Sequence, residues 1–383
     1  MIDFTFLTPA KIIFGQNKIE DLPKEITFLG NKAMIITGRT ALRKSGFLEK
    51  IEEYLRKKSI DYILFEKVEP EPSVETIDEG IVIGRKESIN CVVGIGGGSA
   101  LDVAKAIAGM IPQEINSVRE HVGKSLVNKG LPFIAIPTTA GTGSEVTKNS
   151  VIIDRKRDVK ESILRDSSLI ANTIIVDPLL TISMPPKITA SSGMDALTQA
   201  IECYVSKTTN IFSNLLALNS IHIIGKNLEL AYKDGKNIAI REQMAFGSLL
   251  SALAFSNGGL GAVHGLAHPI GYLYKISHGI ICALLLPHVM KFNKSVKPEE
   301  FAKIGETLNP TLKNSSKELK IDGGISFIRD LLLKLNLPTT LSELGVEMNK
   351  IDDIIDRTGG SSIEKNPRGI NKQLLKDLLL NAL

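Results

Sequence analysis

The sequence predicts two domains: an α/β domain on a parallel sheet over residues 1–182 and an all-helical domain over residues 183–383. Three observations carry this. Short β-branched runs alternate with helix-spaced segments through the first half. Strand-like runs almost stop after Asp177-Pro178. Pro185-Pro186 then punctuates the chain, and long helical patterns run on to Leu383. The length of 383 residues agrees, at roughly 100–200 residues per domain.

The strands follow in order. Residues 33–37 (AMIIT), 62–65 (YILF), 91–95 (CVVGI), 133–136 (FIAI) and 173–176 (TIIV) are short, continuously apolar and bounded by Gly, Pro or charge. Such runs are the pattern of strands buried on both faces. Between them, Phe47, Ile51, Tyr54 and Leu55, and later Val103, Ile107 and Met110, recur at helical spacing. Strand–helix alternation of this kind gives a parallel sheet covered by helices. Residues 151–154 and the stretch around Val159, split by Arg155-Lys156-Arg157-Asp158, read as an appended hairpin. Further on, 190–205, 214–228 and 373–380 read as helices.

Composition narrows the function. Hydrophobic residues are 43% of the chain and charged residues 23%, which excludes a disordered tail, a collagen repeat and a coiled coil. The net charge of +4 is spread along the chain, so no nucleic-acid partner is expected. Three widely spaced cysteines, Cys91, Cys203 and Cys282, give neither a disulfide framework nor a C-x-x-C zinc motif. They read as small buried apolar residues in a reducing compartment. Met1-Ile2-Asp3-Phe4 lacks the features of a signal peptide. The longest apolar stretch, 280–286, is far shorter than the roughly 20 residues of a membrane span. The expectation is a cytoplasmic protein with no membrane partner.

Two turns draw attention. The strand at 91–95 runs into Gly96-Gly97-Gly98-Ser99, and Asp102, Ala104 and Lys105 open a helix. A strand, a turn without side chains and a helix N-terminus form an anion site, although a tight βα turn with no ligand reads the same way. The strand at 133–136 runs into Pro137-Thr138-Thr139-Ala140-Gly141-Thr142-Gly143-Ser144-Glu145, where four hydroxyls and two glycines offer hydrogen bonds to phosphate and ribose. Two such turns on one sheet favour dinucleotide binding. The first strand ends in Gly38-Arg39-Thr40, with Arg43 and Lys44 behind it, where NAD sites commonly carry an acid. Missing carboxylate and nearby cations favour NADP over NAD; Arg39 is equally readable as a plain surface residue.

Four of the six histidines, His264, His268, His278 and His288, fall in one stretch. His264 and His268 are four apart, hence on one helical face, and upstream Asp195 and Gln199 repeat the spacing. A carboxylate with imidazoles from two helices can hold a divalent cation with a position open for substrate.

These residues carry a resemblance over nearly the whole chain. It covers the GGGS turn with Asp102 and Lys105, PTTAGTGSEVT at 137–147, DP at 177–178 and GMDALTQAIE at 193–202. It continues through 261–288 and Asn366-Pro367-Arg368. The sequence resembles the iron-containing (group III) alcohol dehydrogenases. The resemblance implies a dehydroquinate synthase-like fold, an α/β dinucleotide domain and a helical domain with the active site between them. It implies a metal, Fe2+ or Zn2+, held by Asp195, Gln199, His264 and His278, with His268 as the catalytic proton relay. Gly96, Gly97, Gly98, Ser99, Thr138, Thr139, Thr142, Ser144 and Lys160 match cofactor-contacting positions, and Gly38, Arg39, Asp102 and Leu179 complete that set.

Two positions depart from the family pattern. Gln199 stands where most members carry a third histidine ligand, and its amide oxygen is a weaker donor. Ala100 stands where a proline usually follows the GGGS turn. The implied reaction is hydride transfer between a small primary alcohol or its aldehyde and NADP or NAD, in a homodimer or larger homo-oligomer. A metal-independent reductase, a polyol dehydrogenase and a non-catalytic nucleotide-binding protein are the alternatives.

Overall fold

The computed structural model describes residues 3–383; the first two residues of the N-terminal reading above lie outside it. The chain divides into two compact units. One is Thr8–Ser183, and the other is Met184–Leu383 together with the segment ending at Leu7.

The first unit carries eight strands: β1 (Lys11–Phe14), β2 (Lys32–Gly38), β3 (Asp61–Val68), β4 (Cys91–Gly96), β5 (Phe133–Pro137), β6 (Asn149–Asp154), β7 (Val159–Arg165) and β8 (Thr173–Val176). Six form a sheet in the order β1-β8-β5-β4-β2-β3, every neighbouring pair parallel. The central runs are continuously apolar because helices cover both faces of a parallel sheet. Ile35, Val93, Ile95, Ile134 and Ile136 share one core with Leu48, Ile51 and Leu55 from the helix Phe47–Lys57. β6 and β7 form the separate antiparallel hairpin. The edge strand β1 escaped the sequence reading: Lys11 and Ile12 are exposed, so it lacks the continuous apolar run. Its Lys11 ammonium pairs with the buried Glu25 carboxylate at 2.6 Å.

The order of strands matters for function. From β2 the chain crosses outward to β3, then returns to β4 on the other side of β2 and continues through β5 to β8. The direction of winding therefore reverses between β2 and β4. In open α/β sheets, ligands bind at the carboxyl ends of the strands beside such a reversal.

The second unit contains no strand among the described residues. The helices Pro186–Val205, Ile211–Lys233 and Ile238–Gly258 pack together, followed by Ala262–Tyr274, His278–Asn293, Pro298–Leu308, Lys317–Lys334 and Lys372–Leu380. Asparagine and serine caps start several of them. The Asn210, Asn237, Ser316 and Asn371 side chains accept from Ser213, Ile240, Leu319 and Leu374 N–H groups respectively. The helix Ile238–Gly258 is long and apolar enough to cross a membrane by length and composition, which the search for continuous apolar runs did not find. Here it serves as a core helix, with more than half of its apolar window buried and the Arg241 side chain buried on it.

Arg241 is 1% exposed and has no carboxylate partner among the bonds it makes. Its guanidinium donates to the Gly235 carbonyl at 2.8 Å, the Thr189 hydroxyl at 2.8 Å and the Met184 carbonyl at 3.1 Å. It thereby ties the start of the Pro186–Val205 helix to the turn ahead of its own. Arg241→Met keeps the stem but strands these acceptors, and each buried unmet group costs about 1–3 kcal/mol. The expected result is a loss of about that size in denaturant unfolding, with an unchanged m-value. An unaltered midpoint would show that the three acceptors find other donors.

Candidate functional site

The candidate cofactor residues gather at the carboxyl ends of neighbouring strands. Gly38 and Arg39 end β2, Gly96-Gly97-Gly98-Ser99 follows β4, Thr138 to Ser144 follows β5, and Leu179 lies in the 3-10 turn Pro178–Thr181 after β8. The Gly38 and Gly96 turns flank the winding reversal. The Thr138 N–H donates to the Gly96 carbonyl at 2.9 Å, which joins the two glycine-containing turns. Gly98 is required by space: a Cβ there would lie 2.8 Å from the Thr142 hydroxyl oxygen. The helix Gly98–Met110 opens at this turn and directs its first N–H groups toward it.

Beneath the turns sits a buried charged cluster. Lys105 is 0% exposed, and its ammonium donates to the Ser144 carbonyl (2.6 Å), the Thr147 carbonyl (3.0 Å) and hydroxyl (2.9 Å) and the Asn149 carbonyl (3.0 Å). Asp102 lies 3.5 Å from that ammonium and accepts from the Ser144 hydroxyl and the Val151 N–H. Asp102 and Ser144 are thus engaged with each other, and together with Lys105 they brace the hydroxyl-rich loop. Burial raises the Asp102 carboxyl and lowers the Lys105 ammonium, each opposed by the other's charge. Burial also pushes Glu145, 4% exposed, up to about 7.

Lys160 lies on β7 with its side chain 11% exposed, paired to Glu71. Arg39 is largely exposed; it donates to the Lys67 carbonyl at 3.1 Å and lies 4.0 Å from Glu69. Arg43 is committed elsewhere: its guanidinium forks onto Glu66 at 3.0 and 2.7 Å and reaches Glu49 at 3.1 Å. Of the two arginines behind β2, Arg39 is the more exposed.

The second unit brings the metal candidates together. Asp195 and Gln199 project from one face of the helix Pro186–Val205, and both are 2% exposed. His264 and His268 stand on Ala262–Tyr274, and His278 opens His278–Asn293. The Gly279 backbone permits this meeting, since a Cβ there would collide with the Ser191 carbonyl, one turn before Asp195. The His264 Nε2 atom lies 3.4 Å from Asp195 Oδ1, and His278 Nε2 lies 3.8 Å from the same oxygen. The His278 ring is 5.3 Å from that of His264 and 5.2 Å from that of His268, centre to centre.

Two residues complete this arrangement that the sequence reading left without a role. Glu202, 3% exposed, accepts from the Val263 N–H at 2.7 Å and lies 2.6 Å from His264 Nδ1. A carboxylate here accepts from Nδ1, so in the neutral ring Nδ1 carries the proton and Nε2 has its lone pair on the Asp195 side. Asn366, 0% exposed, accepts from the Ala262 N–H at 3.2 Å and exchanges two bonds of 2.9 Å with Asn293, which fixes the start of the His264 helix. Glu202 was visible as the seventh residue after Asp195 on the same helical face. Asn366 carries no local signal, because its partners lie far away in sequence.

Asp195 Oδ1 and His264 Nε2 are buried atoms with no hydrogen-bond partner, and they face each other. A carboxylate oxygen and a ring nitrogen so placed call for positive charge between them, as a proton on the ring or a metal ion in its place. The electrostatics agree. Burial disfavours charge on His264, but the Cys282 sulfur and the Asp195 and Glu202 carboxylates lift its ring well above the ordinary histidine value. Burial would raise Asp195, yet His264 and His278 hold it below the usual carboxylate range. The donor chemistry fits a divalent cation.

A switch-point sheet with glycine turns in one unit and a buried carboxylate–imidazole cluster in the other define the class, a nucleotide-dependent metalloenzyme. Residues 9–178 match the iron-containing alcohol dehydrogenases and residues 189–383 the C-terminal part of the same family, so the chain belongs to the iron-containing alcohol dehydrogenase family. It is an oxidoreductase. An NADPH-dependent butanol dehydrogenase of Clostridium saccharobutylicum is 36% identical over 381 residues, covering 97% of this chain and 96% of that one. An NAD-dependent methanol dehydrogenase of Bacillus methanolicus is 32% identical, covering 99% of each. A crystal structure of a 1,3-propanediol oxidoreductase superposes with a TM-score of 0.95 at 35% identity, covering 100% of both chains.

Two outcomes follow from this geometry. Glu202→Gln replaces the acceptor that fixes the His264 tautomer, so divalent-metal affinity should fall about 10–100-fold in a metal titration while the circular dichroism is kept. Unchanged affinity would remove Glu202 from the centre. The second concerns Glu145. Its folded carboxyl holds a proton that the unfolded chain loses above about pH 4.5, so its contribution favours folding below that pH and is lost as pH rises toward about 7. The slope is at most about 1.4 kcal/mol per pH unit. Glu145→Gln should flatten the decline in unfolding free energy across this window; a variant as pH-sensitive as the parent would show that the carboxyl ionises normally.

Proposed function

We propose that this enzyme interconverts a small primary alcohol and its aldehyde by hydride transfer, with NADP as the preferred nucleotide and a divalent metal, Fe2+ or Zn2+, at the Asp195 cluster. The observation that carries the metal is the pair of buried acceptors, Asp195 Oδ1 and His264 Nε2, turned on each other. The nucleotide preference is supported by Gly38, which offers no carboxylate to a ribose hydroxyl, and by the exposed Arg39 beside it. The relatives are named for both nucleotides, and the butanol and methanol dehydrogenases, by their names, support a small primary alcohol.

The Asp195 cluster would hold the cation, which would supply Lewis acidity, and the glycine turns would hold the nicotinamide nucleotide, which would supply the hydride acceptor. The chain's own residues prepare the site for this. Asp195 contributes negative charge and stays ionised. Glu202 keeps the His264 ring oriented with its lone pair inward. His268, on the same helical face as His264 and less buried, is placed to pass the alcohol proton outward. The glycine turns after β2 and β4 and the hydroxyls of Thr138, Thr139 and Thr142 hold the dinucleotide, and Lys105 and Asp102 keep that loop in shape. The free, buried cysteines suit a cytoplasmic enzyme, and we take it to act as a homodimer or larger homo-oligomer.

The test is anaerobic purification with metal analysis, then NADPH and NADH titrations and an aldehyde panel on the same sample. Metal content should be near one per chain, and NADPH should bind more tightly than NADH. His264→Ala should lose metal and at least about a hundredfold in kcat, since Lewis-acid stabilisation is worth several kcal/mol. Parental turnover in that variant after chelation would end the metal-dependent reading.

A further inference from the structure

Position 199 holds an amide where the resemblance calls for imidazole, yet a fourth strong donor stands nearby. Cys282 is 0% exposed and lies one turn after His278 on the helix His278–Asn293, so both side chains leave the same face. The donor atoms of Asp195, His264, His278 and Cys282 all lie within 4.8 Å of one another. The Cys282 Sγ atom is 3.5 Å from His278 Nε2.

Four donors about 2.0–2.3 Å from one tetrahedral ion lie about 3.3–3.8 Å from each other. The separations here are 3.4 Å for His264 to Asp195, 3.8 Å for His278 to Asp195 and 3.5 Å for Cys282 to His278. These three separations fall in the range of an inner coordination shell, and the remaining pairs lie within 4.8 Å. Two of these donors, Asp195 Oδ1 and His264 Nε2, are buried without hydrogen-bond partners and are turned toward a common point.

We propose that Cys282 supplies a further protein ligand, through sulfur, in a centre that contains Asp195, His264, His278 and Cys282. This rests on the metal-dependent reading above. On binding, the metal–sulfur bond forms as the S–H bond breaks. The proton leaves to solvent and no oxidation state changes. A carboxylate and a thiolate together neutralise the divalent charge, which a carboxylate with neutral donors does not. Thiolate is softer than imidazole or amide oxygen, so this set favours zinc over iron(II).

The experiment is X-ray absorption on full-length protein loaded with one equivalent of zinc, paired with the optical spectrum of the cobalt(II)-loaded protein. One sulfur at about 2.3 Å and a thiolate-to-cobalt charge-transfer band are expected. Cys282→Ser should lose both and bind zinc more than about tenfold more weakly, because removing a ligand should cost at least as much as disturbing its support. Should that variant not fold, the sulfur signal must survive in Cys91→Ala and in Cys203→Ala, the other two cysteines of the chain. A stoichiometrically loaded parent with only nitrogen and oxygen neighbours overturns the sulfur ligand and leaves the metal reading intact. A sulfur signal that persists in Cys282→Ser also overturns it. A folded parent that takes up no divalent ion overturns both.

Discussion

The bond between His264 and Glu202 is the interaction on which the helical unit's chemistry depends. It is 2.6 Å long and buried at both ends, and it joins two helices that the chain separates by some sixty residues. Because the carboxylate accepts from Nδ1, it decides which nitrogen carries hydrogen in the neutral ring and so leaves the other on the Asp195 side. Without it, His264 could present a proton to Asp195 and the two would close on each other as an ordinary hydrogen bond. With it, the neutral ring and the carboxylate offer lone pairs to the same point. The neighbouring contacts serve that alignment: Asn366 pins the first turn of the His264 helix, and the missing side chain at Gly279 lets His278 approach.

The α/β unit solves a different problem, how to hold two side-chain-poor turns still. Lys105 does so from below, with four acceptors around one buried ammonium. Backbone carbonyls supply three of the four and the Thr147 hydroxyl the fourth, while the Ser144 hydroxyl is held by Asp102, so main chain and hydroxyls together shape the loop after β5. The Ala100 substitution sits within this arrangement without disturbing it: the residue is buried, and the helix Gly98–Met110 begins before it.

The parts of the molecule legible in the sequence were those with a local periodic signature. The five central strands announce themselves as apolar runs since both their faces are covered. The hairpin and the long helices are equally plain. The edge strand β1 was hidden because solvent contact permits Lys11 and Ile12 where a central strand would alternate nothing. At the site, Asp195, His264 and His278 were legible from residue type, spacing and family pattern. Cys282 was not, since a cysteine among Ile280, Ile281 and Ala283 reads as filler, and only the crossing of two helices reveals its neighbours. Arg43 shows the converse: near a candidate ligand in sequence, it proves to be spent on Glu66 and Glu49.

Arg39 differs from every other candidate cofactor residue in having 62% of its side chain in solvent and no place in the buried network. Among the described residues its contacts are confined to the Lys67 carbonyl at 3.1 Å and Glu69 at 4.0 Å, both at the end of β3. On the reading proposed above for Arg39, coenzyme choice is set at the rim of the site, apart from the buried network of Lys105, Asp102 and Ser144.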